Sequence, residues 1–227
     1  SGSSSDLITY GGSRNAAHVG VIGVASSPTT PWAVVGQALA TARLSLDEHP
    51  CRPFTGLELV ILPPASGDEF TMAERQALTA AGIATAYTEG GVVRMDRLPM
   101  TYKTDANGDP DDSWRDVQSS ATMGRTLRQM VSDHRSTFSR AVLVDDDTPV
   151  GAAARNVVWP RLIAGRAVTT YRNLQALGWL EGADEFAALV AATRDPSDAG
   201  RVNIYAPIDV ANPYWIGAID AVLLLNY

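Results

Sequence analysis

A chain of 227 residues with 45% apolar side chains and a formal charge of −7 is long enough for one packed core or two small ones. Its negative field repels phosphate backbones and no basic patch interleaved with aromatic residues offsets it, which argues against direct nucleic-acid binding. The single cysteine, Cys51, excludes an internal disulfide and a multi-cysteine metal cluster, and no run of about eighteen apolar residues marks stable membrane insertion.

Residues 1–17 open on "SGSSSDL", which lacks the basic segment and apolar core of a secretory signal. They read as an expression remnant and flexible lead-in, with the structured unit over 18–227. Residues 18–25, "HVGVIGVA", predict a buried strand, followed by the turn "SSPTTP". A helix follows over "WAVVGQALATARLSLDEH": Pro31 suits its first turn, and Val35, Leu39, Ala42 and Leu46 fall at helical spacing. "LELVILP" predicts a second strand.

Thr71 and Glu74 stand at capping-box spacing, so the threonine oxygen can take one free backbone N–H and the glutamate another at the head of a helix running to Gly82. "IATAY" and "VVRMDRL" read as paired strands joined by "TEGG", where Gly90 and Gly91 supply a tight turn. "DANGDPDD" then breaks the pattern, and residues 89–112 are expected as a protruding hairpin and loop. Ser113, followed by Asp116, is expected to cap the longest helix, with Val117, Met123, Leu127, Met130, Val131 and Phe138 as its apolar stripe. A helix from Pro160 and a shorter one through "ADEFAALVAA" lead to two last strands, "VNIYAPID" and "YWIGAIDAVLLL". The fold class is α+β (mixed α/β), with helices packed on a mixed, largely antiparallel sheet.

No motif in this order assembles a reaction centre. The glycines at 11, 12, 20 and 23 lack the spacing that a dinucleotide needs, and there is no phosphate loop or nucleophile elbow. Asp145, Asp146 and Asp147, with Asp105, Asp109, Asp111 and Asp112, offer oxygen ligands but not the alternation of a calcium loop. His18, His49 and His134 lie far apart, and a pairing of His49 with Cys51 would need further ligands for zinc or an orienting group for nucleophilic chemistry. Trp114, Trp159, Trp179 and Trp215, with Tyr171 and Tyr214, are core or interface anchors. The reading is therefore no catalytic residue, no cofactor and no metal.

Longer runs are more specific. "HVGVIGVASSPTTPWAVVGQALA", then "FTMAERQALTAAGIATAYTEGGVVRMDRLPMTYKTDANGDPDDSWRDVQ", then "AAARNVVWPRLIAGRAVTTYRNLQALGWLEGADEF" and finally "RDPSDAGRVNIYAPIDVANPYWIGAIDAVLLL" together resemble, in this order, the contractile tail sheath proteins of Mu-like bacteriophages and prophages. The resemblance covers nearly the whole chain from His18 onward. It implies the carboxyl-terminal part of a structural subunit, not an enzyme, made in the bacterial host cytoplasm and carried in the virion tail. Many copies would surround the tail tube and contract to drive it through the cell envelope. The implied partners are other copies of the subunit and the tail tube protein, with baseplate and tail terminator proteins at the ends. Its exchanged arms imply that Ala221, Val222, Leu223, Leu224, Leu225, Asn226 and Tyr227 form a subunit interface. Two alternatives stay open: a small hydrolase or nucleotide-binding enzyme with a dispersed site, and a non-contractile tail adaptor or terminator.

Overall fold

The computed structural model describes residues 2–151, 154–215 and 217. In chain order its elements are α1 (Ser4–Gly12), β1 (Val21–Ile22), α2 (Pro31–Glu48), β2 (Glu58–Leu59), α3 (Met72–Ala80), β3 (Ile83–Ala84), β4 (Ala86–Glu89) and β5 (Val92–Met95). After these come α4 (Val117–Thr137), β6 (Val142–Leu143), β7 (Val157–Val158), α5 (Pro160–Ala176), α6 (Ala183–Leu189), β8 (Ala191–Arg194) and β9 (Val202–Tyr205). The chain is α+β, as expected, but among the described residues the strands form four small sheets: β1 with β3 and β6 with β7 parallel, β2-β5-β4 and β8 with β9 antiparallel.

Two apolar cores organise these pieces. In the first, α2 lays Ala38 and Ala42 against Phe54, Leu59, Ala84, Val93, Met95 and Leu98. The buried face of α2 is Val34, Ala38, Ala42 and Ser45, so the expected stripe through Val35 and Leu39 is rotated toward solvent. The alanines let the helix axis come close to the strands, which bulkier side chains would prevent. Pro31 opens this helix, where its missing N–H has no intrahelical partner to lose.

The first core also explains why strand signals shrink. Of residues 18–25 only Val21 and Ile22 pair in β1, because Gly20 bridges Met100 and the carbonyl of Val19 accepts the amide of Thr101. The same run therefore serves two partners. Thr71 and Glu74 close a full capping box on α3, and Gly82 ends that segment with φ +79°. A Cβ at Gly82 would lie 2.8 Å from the Met100 carbonyl oxygen, so both the backbone angle and the space call for glycine. Between β4 and β5, Gly90 and Gly91 have φ of +60° and +81°, the two positive angles of a two-residue hairpin turn.

The expectation of a flexible lead-in over residues 1–17 is corrected. Ser3 caps α1 by accepting from the Asp6 amide, Ser4 donates to Glu74, and the Lys103 ammonium donates to the carbonyl of Gly11 at 2.7 Å. Gly11 lies so close to Ala81 and Ile83 that a side chain there would clash. These ties hold a helix whose own length could not sustain it in water.

Ser113 is likewise not the cap of α4. Its amide and hydroxyl both donate to Asp111, and the N-cap position falls to Asp116, whose carboxylate pairs with Arg97 at 3.0 Å. The helix starts three residues later because the Arg115 carbonyl accepts the Met100 amide and Asp116 bridges Pro99, which holds Asp116 extended. In the second core, Tyr171, Leu174, Leu180, Ala183 and Phe186 pack under α5 and α6, with Tyr171 and Phe186 stacked at 4.0 Å between ring centroids. The helix signal in "ADEFAALVAA" stops at Leu189, and Ala191–Arg194 turn into β8 because Asp195 organises a tight turn back to β9. The last predicted strand lies outside the described residues.

α4 spans both cores: Val117 packs on the first and Met130 on the second. At 1.5 Å per residue its 21 residues reach about 32 Å. Between the cores its buried face is polar, made of Gln118, Thr122 and Thr126. Cys51 Sγ meets Thr122 Oγ1 at 3.2 Å, the Gln118 amide donates to the carbonyl of Arg52 at 3.2 Å, and Arg125 pairs with Asp47 at 2.7 Å.

Candidate functional site

The polar face of α4 turns part of its expected apolar stripe outward, while Val117 and Met130 still reach the two cores. Leu127 and Val131 are 48% and 49% exposed, while Thr122 and Thr126 are fully buried. Threonines can face inward here because Thr122 returns its hydroxyl to the Gln118 carbonyl one turn back at 2.8 Å. The exposed leucine and valine edge an apolar groove of about 280 Å³ between α4, α5 and β9, floored by Met130, Ile163, Ala167 and Ile204. His134 lines it too, edge-on to Phe138 at 5.0 Å, and burial lowers its pKa so that the neutral ring is favoured.

A second unpartnered face lies on α2. Trp32, Val35 and Leu39 repeat at helical spacing and are 76%, 39% and 54% exposed. Sequence reasoning placed Val35 and Leu39 inside and passed over Trp32. The rest of the expected stripe faces the core, with Ala42 buried and Leu46 packed on it, and Val34 and Ala38, one step round the helix, complete the inward face. Leu44, Val60, Leu62 and Tyr214 add further exposed apolar area. Large apolar side chains grouped on one surface mark places where another molecule docks.

The polar candidates are engaged structurally. The Nδ1 of His49 accepts the amide of Cys51, so Nε2 carries the proton and faces the Leu177 carbonyl at 3.1 Å. Neither ring nitrogen is thus bonded to the thiol, and burial raises the Cys51 pKa, which opposes nucleophile chemistry. Asp145 pairs with Arg194 at 2.9 Å, and Asp146 accepts the amide of Arg161 in the first turn of α5. Asp105 accepts the amides of Asn107 and Asp109, and Asp111 accepts from Ser113 and from the Tyr102 hydroxyl. Among the described residues no group of three or more His, Cys, Asp or Glu side chains could hold a metal ion, and no helix is long and apolar enough to cross a membrane.

Of the aromatic candidates, Tyr171 is fully buried, whereas Trp114 and Tyr214 are exposed. Trp215 lies over the guanidinium of Arg97 at 4.2 Å, and Trp179 joins the second core. The turn glycines Gly90 and Gly91 and the caps Thr71 and Glu74 position backbone. The candidate interface, Ala221–Tyr227, lies outside the described residues.

No protein-family model matches the chain. It is similar to the curated "Mu-like prophage FluMu tail sheath protein" of Haemophilus influenzae, 27% identical over 195 residues that make up 86% of this chain and 39% of that protein. The resemblance drawn from the sequence is thereby shown. Among solved structures it shares a fold, at TM-score 0.50 and 12% identity, with a chain in the cryo-EM structure of the anti-feeding prophage baseplate. That match covers 82% of this chain and 49% of the other, so the chain spans between two fifths and one half of the proteins it matches.

Proposed function

We propose that this chain is part of a structural subunit of a phage contractile tail, assembling through contacts with other copies of itself around the tail tube and contracting to drive that tube through the host envelope. The observation that carries this reading is the ordered likeness to a prophage tail sheath protein over 86% of the chain. The exposed faces of α2 and α4 support it, since a subunit that lives inside a lattice needs apolar surface that only neighbours cover. The chain's role is mechanical and non-enzymatic. Its partners are sister subunits and the tail tube protein, with baseplate and tail terminator proteins at the ends, and its location is the virion tail.

Within such a subunit the chain, α1 included, acts as the carboxyl-terminal sheath domain. The protrusion expected over 89–112 is corrected, because β5 is the central strand of its sheet and Val93, Met95 and Leu98 lie in the first core, which leaves the Gly90–Gly91 turn and the loop at 106–110 as the exposed parts that can reach neighbours. Ala221–Tyr227 pair as an added strand: a sheet edge offers unsatisfied backbone groups, and alternate residues such as Val222 and Leu224 can bury apolar area on one side. Negative-stain microscopy of the full-length gene product tests the whole reading. Long tubes are expected. Closed rings alone would favour a non-contractile adaptor, and isolated particles under all assembly conditions would refute self-assembly. Deleting residues 221–227 should abolish tube formation while leaving the thermal melt unchanged; normal tubes from that variant would sink the strand-addition role.

A further inference from the structure

α3, β5 and the turn that enters α4 enclose a cleft of about 320 Å³ whose walls include Met72, Arg75, Asp96, Arg97, Arg115 and Trp215. Three guanidiniums therefore converge in a protein whose net charge is −7. Each is held by one carboxylate: Arg75 Nε by Asp96 at 3.2 Å, Arg97 Nη2 by Asp116 at 3.0 Å, and Arg115 Nη1 by Asp112 at 3.2 Å. Trp215 stacks over Arg97, and Arg75 also donates to the Phe70 carbonyl.

These bonds orient the forks without exhausting them. A guanidinium carries five N–H donors in fixed geometry, of which each pair here uses only one. Arg97 Nε is buried and has no acceptor among the described residues. The Arg97 and Arg115 side chains remain 26% and 28% exposed on the cleft wall, so their unused N–H groups can take an acceptor from outside. Preset, partly desolvated arginines beside an aromatic ring suit a carboxylate, which can accept two parallel N–H bonds.

The chain itself carries a fitting acceptor. Asp145–Asp147 is its densest run of negative charge, and all three residues are exposed. Asp145 is tied to Arg194 and Asp146 to the amide of Arg161, while the Asp147 carboxylate has no partner among the described residues. Of the acids of 105–112, Asp105 and Asp111 are used within their own loop and Asp112 on Arg115, while Asp109, whose carboxylate also has no partner among the described residues, sits on the same loop that brings Asp112 to the cleft. Cleft and aspartate loop also sit on different cores, the former with α3 and β5, the latter with α5 and β8. Two unlike, complementary surfaces on one chain make a head-to-tail contact that repeats from copy to copy.

We propose that the arginine cleft receives the Asp145–Asp147 loop of a second copy of this chain, with the Asp147 carboxylate between Arg97 and Arg115. The inference rests on the self-assembly reading above and names one of its contacts. Its test uses the full-length subunit with Arg115→Cys and Asp147→Cys made on separate copies, the native Cys51 being buried. Mild oxidation of the mixture should give a cross-linked heterodimer, whereas pairing Arg115→Cys with Asp68→Cys on another exposed acidic loop should not. In parallel, Arg115→Glu or Asp147→Arg should weaken self-association roughly tenfold by sedimentation, more at low salt than at high. Joining both changes in one chain should restore it, and Arg115→Lys should retain most of it. That rescue, with unchanged thermal melts, separates a lost contact from a misfolded subunit. Full association of Arg115→Glu with no cross-link would overturn the cleft contact and leave the sheath reading standing; no self-association of the parent protein at any concentration would overturn both.

Discussion

Replacing Tyr171 by phenylalanine probes the second core at a single atom. The ring is fully buried and stacked on Phe186, so the substitution keeps the apolar area and the stacking while deleting the hydroxyl. That hydroxyl donates to the Glu181 carbonyl at 2.6 Å and accepts the Asp209 amide at 3.1 Å, joining the loop before α6 to the segment after β9. Its loss leaves two backbone groups without partners, each costing about 1–3 kcal/mol if water cannot replace the bond. Glu181 and Asp209 are both exposed residues, so partial hydration favours the low end, about 2 kcal/mol in total. For a chain of this size that is a fall in Tm of about 4–8 °C. Urea unfolding followed by tryptophan fluorescence should show a lower midpoint with unchanged slope, since the surface exposed on unfolding is the same. A loss below about 0.5 kcal/mol would show that the hydroxyl bridge is replaced by water and does not brace this core.

Three further outcomes follow from the geometry. Gly82→Ala forces a Cβ to 2.8 Å from the Met100 oxygen at φ +79°, and should cost about 2–4 kcal/mol by urea unfolding, against a gain of about 0.5–1 kcal/mol for alanine at the open, helical Gly36. Tyr102 donates to Asp111, which raises its pKa to about 12; because a raised folded pKa contributes stability below the unfolded value, that contribution is lost as pH climbs from about 10 toward about 12. Absorbance titration at alkaline pH should show this late ionisation, and Asp111→Asn should bring it back toward the ordinary tyrosine value. Cys51, buried and raised in pKa, should resist an aromatic disulfide reagent at pH 8 in the native protein and react fully once unfolded; fast native reaction would contradict the packing around Thr122.

What could be read from the sequence was what is decided locally. The Thr71–Glu74 box and the Gly90–Gly91 turn depend on residues within a few positions, so their chemistry is visible in the string itself. Ser113 failed as a cap because the distant segment Pro99–Met100 bonds the backbone at Arg115 and Asp116 and delays the helix to Val117. The faces of α2 and α4 failed for another reason. Binary pattern assigns leucines and valines inward, but here alanines allow close helix approach and Thr122 bonds back along its own helix, leaving Leu39, Leu127 and Val131 outside. The split into four small sheets was equally hidden, since pairing of β1 with β3 and of Val19 with Thr101 is set by chain segments far apart. The arginine cleft draws on residues from 55 to 215 and has no sequence signature.

The polar middle of α4 governs how the molecule gives way under load. Prying an apolar core apart costs about 1.5–3 kcal/mol for each large side chain exposed, whereas a protein hydrogen bond exchanged for water costs only about 0.5–1.5 kcal/mol. Among the described residues Ser45, Gln118 and Thr126 each leave a buried oxygen without a protein partner, so entering water would find acceptors waiting. The band around Cys51, Asp47 and Thr122 is therefore the molecule's yield line, along which two stiff blocks can tilt on a common helical strut before either block melts.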